Sequence, residues 1–255
     1  MENAFGQPQN VVVLGGSSDI ARAITKKLCA ARARSIVLAG RNPSLLAEAE
    51  SEARQFGATS TAIVLFDAED PSSAARTVSE SFEKAGGEVD LVIVAVGLLG
   101  DQSADENDAA AAARIMTVNL TWPVAALAEV RRRLLAQGSG RILVVTSVSG
   151  IRVRRTMYLY GGAKAGLDRL CDGLADSLEG TGVTLQILRA GVVRTKMTVG
   201  HKEPPFTTGP DEVADTVIKG LATSERVIWS PPALRYVFAL LRHLPKPIFR
   251  AITDR

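Results

Sequence analysis

Short runs of aliphatic and β-branched residues alternate with longer amphipathic stretches along this chain, and that rhythm leaves few folds open to it. The runs are "VVVLGG" (11–16), "SIVLAG" (35–40), "TAIVLFD" (61–67), "VDLVIVAVG" (89–97), "GRILVVTS" (140–147) and "VTLQILRAG" (183–191). Each is nearly continuous in apolar residues, the pattern of a strand covered on both faces. Helical stretches separate them. "DIARAITKKLCAAR" follows the first run, and "PSLLAEAESEARQFG" follows the second, with Pro43 near its first turn and Gly57 at its stop. Repeated β-α units of this kind predict an α/β fold: an open, doubly wound parallel sheet with helices on both faces. No repeat or linker divides the chain, so 1–255 reads as a single domain, with 230–255 as a basic amphipathic C-terminal helical extension.

Composition narrows the function classes. Hydrophobic residues make up 46% of the chain, ample for a core, and a net charge of +3 calls for no nucleic-acid partner. Cys29 and Cys171 fall in helix-like stretches and read as core fillers. His201 and His243 lack metal-ligand spacing, so surface or structural roles are expected and no metal site. The start "MENAFGQPQN" has no basic n-region and no long apolar run, so no signal peptide is expected. No segment reaches the ~18–20 apolar residues of a membrane span. A soluble, cytoplasmic-type protein is the expectation.

In such sheets, ligands bind beyond the carboxyl ends of the strands. Gly15–Ala21, Arg41, Asp67, Gly97, Ser147 and Gly191–Thr195 all lie there. The turn "LGGSSDIARA" carries Gly15, Gly16, Ser17, Ser18, Asp19 and Ile20, and a glycine-rich strand-to-helix turn brings backbone N–H groups to a pyrophosphate. The full glycine pattern is broken by Asp19 and Ala21, so a plain βα turn with a helix cap stays open. After the second run, Gly40 stands where an acidic residue would favour NADH. Arg41 follows, a cation able to pair with a 2′-phosphate, which favours NADPH with NADH as the alternative.

Tyr160 and Lys164 are four apart and share a helix face, although Gly161 and Gly162 lie between them and weaken that helix. Ser147 precedes Tyr160 by 13 residues. With the broken glycine loop, "AVG" (95–97) and Asn119 in "VNL", this set resembles the short-chain dehydrogenase/reductase family over almost the whole chain. The resemblance implies a Rossmann-like dinucleotide-binding domain that reduces a ketone, with Asn119, Ser147, Tyr160 and Lys164 as catalytic residues. Ala95-Val96-Gly97 and Ala190-Gly191 depart from the family's N-A-G and P-G.

A free tyrosine, with a pKa of about 10, exchanges protons poorly at neutral pH, and a lysine one turn away is expected to lower it. Lys164 also reaches the nicotinamide ribose, Ser147 steers the carbonyl oxygen, and Asn119 holds a relay water, as their family counterparts do. Asp67, with Ala68 beside it, matches the residue that accepts from the adenine amino group. Gly191, Val193 and Thr195 match the segment near the nicotinamide carboxamide or pyrophosphate. Glycines beside Tyr160 leave room for a close neighbour, and the family's habit of packing this helix on a partner subunit implies a homo-oligomer.

Two stretches bear on the ketone. Arg152, Arg154 and Arg155 concentrate positive charge between Ser147 and Tyr160, which suits a phosphate-bearing substrate. In the C-terminal stretch, Leu234, Val237, Phe238, Leu241 and Leu244 follow helical spacing among Arg235, Arg242, Lys246 and Arg250, a pattern that fits anionic lipid as well as it fits docking on the sheet. Together with "AVGLLGD" (95–101), these stretches resemble the decaprenylphosphoryl-2-keto-beta-D-erythro-pentose reductases of arabinan precursor synthesis. The resemblance implies a polyprenyl-phosphate-linked 2-keto pentose as substrate, a flavin-dependent oxidase partner and peripheral contact with the inner membrane face. A reductase of another keto-lipid or keto-acyl chain, and a non-catalytic dinucleotide-sensing or scaffold protein, remain as alternatives.

Overall fold

The structure, a computed structural model, describes residues 7–200 and 203–253; His201, the first six residues and residues 254–255 of the extension lie outside it. Seven strands form one sheet: β1 (Asn10–Leu14), β2 (Ser35–Gly40), β3 (Ser60–Leu65), β4 (Leu91–Val94), β5 (Gly140–Ser147), β6 (Val183–Ala190) and β7 (Val227–Ser230). All pair in parallel, in the order β3-β2-β1-β4-β5-β6-β7. The expected doubly wound α/β fold is present. Six of the strands answer the apolar runs, with β4 trimmed at both ends. The seventh, "VIWS", falls between the last apolar run and the extension and is an addition to the sequence reading.

The period of two along a strand explains the continuous apolar runs. In β1, Val12 and Leu14 enter one core layer while Val11 and Val13 enter the other, all fully buried. The first layer is closed by α3 (Ser73–Lys84), α6 (Trp122–Gln137) and α7 (Tyr158–Ser177), through Phe82, Trp122, Leu134, Leu167 and Cys171. The second is closed by α1 (Asp19–Ala30), α2 (Pro43–Gln55) and α8 (Pro210–Leu221), through Ile24, Cys29, Leu46 and Val217. Each large aliphatic or aromatic side chain buried this way contributes roughly 1.5–3 kcal/mol. Both cysteines sit in the core, as expected. Local signals set the helix ends: Pro43 opens α2 behind Asn42, whose Oδ1 accepts from Leu45 N at 3.1 Å, and Gly138 ends α6 in the left-handed region.

Strand order reverses between β1 and β4. A doubly wound sheet opens a crevice at such a point. Two short helices, α4 (Gln102–Asp105) and α5 (Ala109–Met116), follow β4, and a π-helical turn, Thr117–Thr121, joins α5 to α6. The C-terminal stretch forms α9 (Leu234–Leu241) and α10 (Lys246–Thr253). On α9, Leu234 is buried and Val237, Phe238 and Leu241 are half-buried, so the apolar stripe turns inward. Tyr236, Leu240 and Ile248 stay exposed, at 76%, 67% and 50%.

Candidate active site

At the switch point the chain lines a cleft of about 280 Å³. Its walls come from the turn after β1 (Gly15, Ser17, Ser18, Asp19, Ile20), from Gly40 and Arg41 after β2, and from Phe66, Asp67, Ala68 and Glu69 after β3. Ala95–Leu98 after β4 and Thr195–Met197 after β6 complete it. Ten of the cofactor residues expected from sequence therefore meet in one place. Gly191 and Val193 stand beside the cleft: Gly191 packs where a side chain would strike Leu234, and Val193 bridges to Thr208. Phe66, Glu69, Lys196 and Met197 had no sequence signal, because only the tertiary fold brings them to the rim.

The turn after β1 fits an anionic group. Gly15 adopts φ +93°, and a Cβ there would lie 2.7 Å from the Ala95 carbonyl carbon and oxygen, so β1 and β4 close up only around glycine. Ser18 precedes α1 without a side-chain cap, so it does not satisfy the first-turn N–H groups of the helix, and Ser18, Asp19 and Ile20 all line the cleft. Asp19, which breaks the glycine pattern, points its charge sideways: Oδ2 accepts from Lys196 N at 2.7 Å, and Oδ1 lies 3.4 Å from Lys196 Nζ. The carboxylate thus ties the first turn of α1 to the loop after β6.

The reacting groups lie at the end of β5 and on α7. Ser147 is buried and its Oγ accepts from Ser149 N at 3.2 Å. Burial pushes the Tyr160 phenol up to about 12, while the neighbouring Ser147 hydroxyl draws it back. Lys164 is only 3% exposed, and burial brings its ammonium down to about 8. Its Nζ donates to the carbonyls of Val96 and Val145, each at 3.3 Å, and stands 5.9 Å from the Tyr160 ring centre. The depression of the tyrosine by this lysine, expected from sequence, does not appear: desolvation raises the phenol, and Ser147 is what opposes it.

Gly97 explains how these groups fit together. A Cβ there would sit 3.2 Å from Asn119 Oδ1 and 3.4 Å from Lys164 Nζ. Asn119, fully buried in the π-helical turn, clasps the loop after β4: Oδ1 accepts from Leu98 N, and Nδ2 donates to Leu98 O at 2.7 Å and to Ile115 O at 3.0 Å. One turn beyond Lys164, the buried Asp168 accepts two bonds from Arg189 (2.9 and 2.7 Å) and one from Thr146 (3.0 Å), fixing α7 on β5 and β6.

The three arginines of the β5–α7 loop have different surroundings. Arg152 donates to the Leu241 carbonyl and lies 4.0 Å from the centre of the Phe249 ring, so it joins the loop to the C-terminal helices. Arg154 donates to the Met157 sulfur at 2.7 Å, and Arg155 opens the short 3-10 turn Arg155–Met157.

The sequence matches a family model described as short chain dehydrogenase over residues 9–205. An uncharacterized oxidoreductase of Mycobacterium tuberculosis is 39% identical over 240 residues, covering 94% of this chain and 95% of that protein. Among solved structures, a 7beta-hydroxysteroid dehydrogenase aligns over 98% of both chains with TM-score 0.84 and 20% identity. A short-chain dehydrogenase from Burkholderia cenocepacia in complex with NADP aligns over 94% of this chain and 95% of its own, with TM-score 0.78 and 19% identity.

Proposed function

Because the chain belongs to the short-chain dehydrogenase/reductase family of NAD(P)-dependent oxidoreductases, we propose that it reduces the keto group of a polyprenyl-phosphate-linked 2-keto pentose, using NADPH ahead of NADH. The observation that carries the reductase reading is the meeting of the Ser147 and Tyr160 hydroxyls at the end of β5, with the Lys164 ammonium buried beside them. Gly15, Ser17, Ser18 and the first turn of α1 would hold the pyrophosphate, Asp67 the adenine, and Lys164 the nicotinamide ribose. A bound reduced nicotinamide supplies the hydride.

The protein's own part is the proton. Tyr160, its phenol held up by burial, is protonated at neutral pH and supplies the proton that the carbonyl oxygen takes. Ser147 holds the carbonyl oxygen within reach of that phenol and stabilises the charge that develops on it. The Lys164 ammonium steadies the phenolate left behind and returns a proton to it, and water held near Asn119 passes a proton from solvent to the lysine.

The substrate reading draws on the rim. Arg154 and Arg155 put charge beside α7. Val153, Tyr158, Met197 and Val199, all more than a third exposed, offer apolar surface on the loops that follow β5 and β6. The exposed apolar and basic residues of α9 and α10 suit contact with an anionic membrane that carries such a lipid. An oxidase that makes the keto sugar is the partner this reaction needs, and a homo-oligomer is the assembly we propose.

The test is oxidation of NADPH and of NADH with a short-prenyl phosphoryl-2-keto pentose, using wild type and Tyr160→Phe side by side. Turnover by wild type alone, with cofactor affinity unchanged in the variant, is expected. Turnover of keto-acyl carriers but not of the sugar would move the substrate to another class. Cofactor binding with no turnover of any ketone would make the protein a sensor or scaffold.

A further inference from the structure

At the outer end of the cleft, two guanidinium groups from separate elements converge on one carboxylate oxygen. Glu69 Oε1 lies 3.3 Å from Arg41 Nη1, after β2, and 2.7 Å from Arg114 Nε, on α5. Glu69 and Arg41 both line the cleft, next to Asp67. The Glu69 main chain is held as well, since its N–H donates to Asp67 Oδ1 at 3.0 Å. The side chains are 62% (Arg41), 38% (Glu69) and 44% (Arg114) exposed, so their pairing is open to water and exchangeable.

Two arginines on one oxygen make a cradle for an anion with several acceptor oxygens. A single carboxylate oxygen takes one donor from each guanidinium and leaves their other N–H groups free of it, which favours a group with several acceptor oxygens over a lone hydroxyl. We propose that Glu69 is a built-in stand-in for the 2′-phosphate of NADPH, and that Arg114 is the second cation of that subsite beside Arg41. This rests on the dinucleotide reading above and adds to it a residue that tunes the choice between the two cofactors. The phosphate of NADPH displaces the Glu69 carboxylate and takes both guanidiniums, whereas NADH leaves the carboxylate in place. Glu69 thus holds NADPH affinity below what the two arginines alone would give, and leaves NADH nearly unaffected.

The test is equilibrium titration of the full chain with NADPH and with NADH. Quenching of Trp122 provides the readout, since this residue stacks at 4.2 Å on Phe66 in the cleft wall. Wild type, Glu69→Gln and Arg114→Gln are compared, with thermal melting as the check on folding. Losing one half-exposed charge interaction changes affinity by about fivefold. Glu69→Gln is expected to tighten NADPH by about that factor and Arg114→Gln to weaken it by about the same, with NADH unchanged in both. Unchanged NADPH affinity in both variants would overturn the proposal. So would equal shifts for both cofactors, or a loss confined to NADH in Glu69→Gln, which would make Glu69 an acceptor for a ribose hydroxyl. Absence of binding by either cofactor to wild type would overturn the dinucleotide reading itself.

Discussion

A lysine that is 3% exposed must hold its charge against its own desolvation, and Lys164 does so at a cost that depends on pH. Its folded value is about 8, against about 10.5 in an unfolded chain. Between those values the unfolded state binds more protons, so the stability of the cofactor-free protein rises with pH across that window. Below pH 8 the folded protein carries the full cost, on the order of 3 kcal/mol. Lys164→Met keeps the side chain's length and removes the charge. The variant should melt higher than wild type below pH 8, converge with it only above about pH 10.5 and show no turnover; melting curves against pH check this, and a constant difference at every pH would refute it. The pairing of Tyr160 with Lys164 was legible in the sequence because the helix period fixes which side chains share a face, whereas Ser147, at the end of β5, entered through the family resemblance. Their proton affinities were not legible: burial belongs to the folded molecule, and it raises the phenol where the sequence reading expected the lysine to lower it.

The helix that carries these residues also answers why two glycines lie between them. At Gly161 a Cβ would sit 3.0 Å from the Ser149 carbonyl and 3.2 Å from Val153, so α7 meets the loop after β5 only because that position is bare. At Gly162 a Cβ would meet nothing within 4 Å. Only the first glycine is required by packing within the chain. Gly162→Ala should therefore gain about 1 kcal/mol of helix propensity and raise the melting temperature by about 2–4 °C, while Gly161→Ala should lower it by crowding Ser149. Equal effects of the two substitutions would contradict this division. Elements were legible to the degree that they are buried on both faces. Strands β1 and β4 are almost wholly apolar and buried, but β7 offers four residues at the sheet edge, closed by Ser230 and two prolines, and its signal merges with the tail. Glu69, Lys196 and Met197 escaped for a related reason: each is an ordinary surface residue until the fold brings three loops to one cleft.

At the scale of the molecule, the C-terminal helices are both docked and exposed. Leu234 packs against Gly191, and Arg152 reaches the Leu241 carbonyl and the face of Phe249, so the inward stripe is spent on the domain. No helix among the described residues is long and apolar enough to cross a membrane. The outward residues Tyr236, Leu240 and Ile248 remain, with Arg235, Lys246 and Arg250 around them, all exposed. Three apolar side chains alone give weak partitioning, but each cation near an anionic surface adds about 1 kcal/mol. The two contributions together predict binding that needs both negative lipid and low salt. The full chain should sediment with vesicles of phosphatidylglycerol and phosphatidylcholine, and not with phosphatidylcholine alone. The triple variant Arg235→Gln/Lys246→Gln/Arg250→Gln should lose about a hundredfold in partitioning and keep the melting temperature, because none of the three is buried. Equal binding to both vesicles, or no loss in the triple variant, would remove the membrane from the proposal. It would leave α9 and α10 as a brace for the loop between Ser147 and Tyr160, joined to it through Arg152.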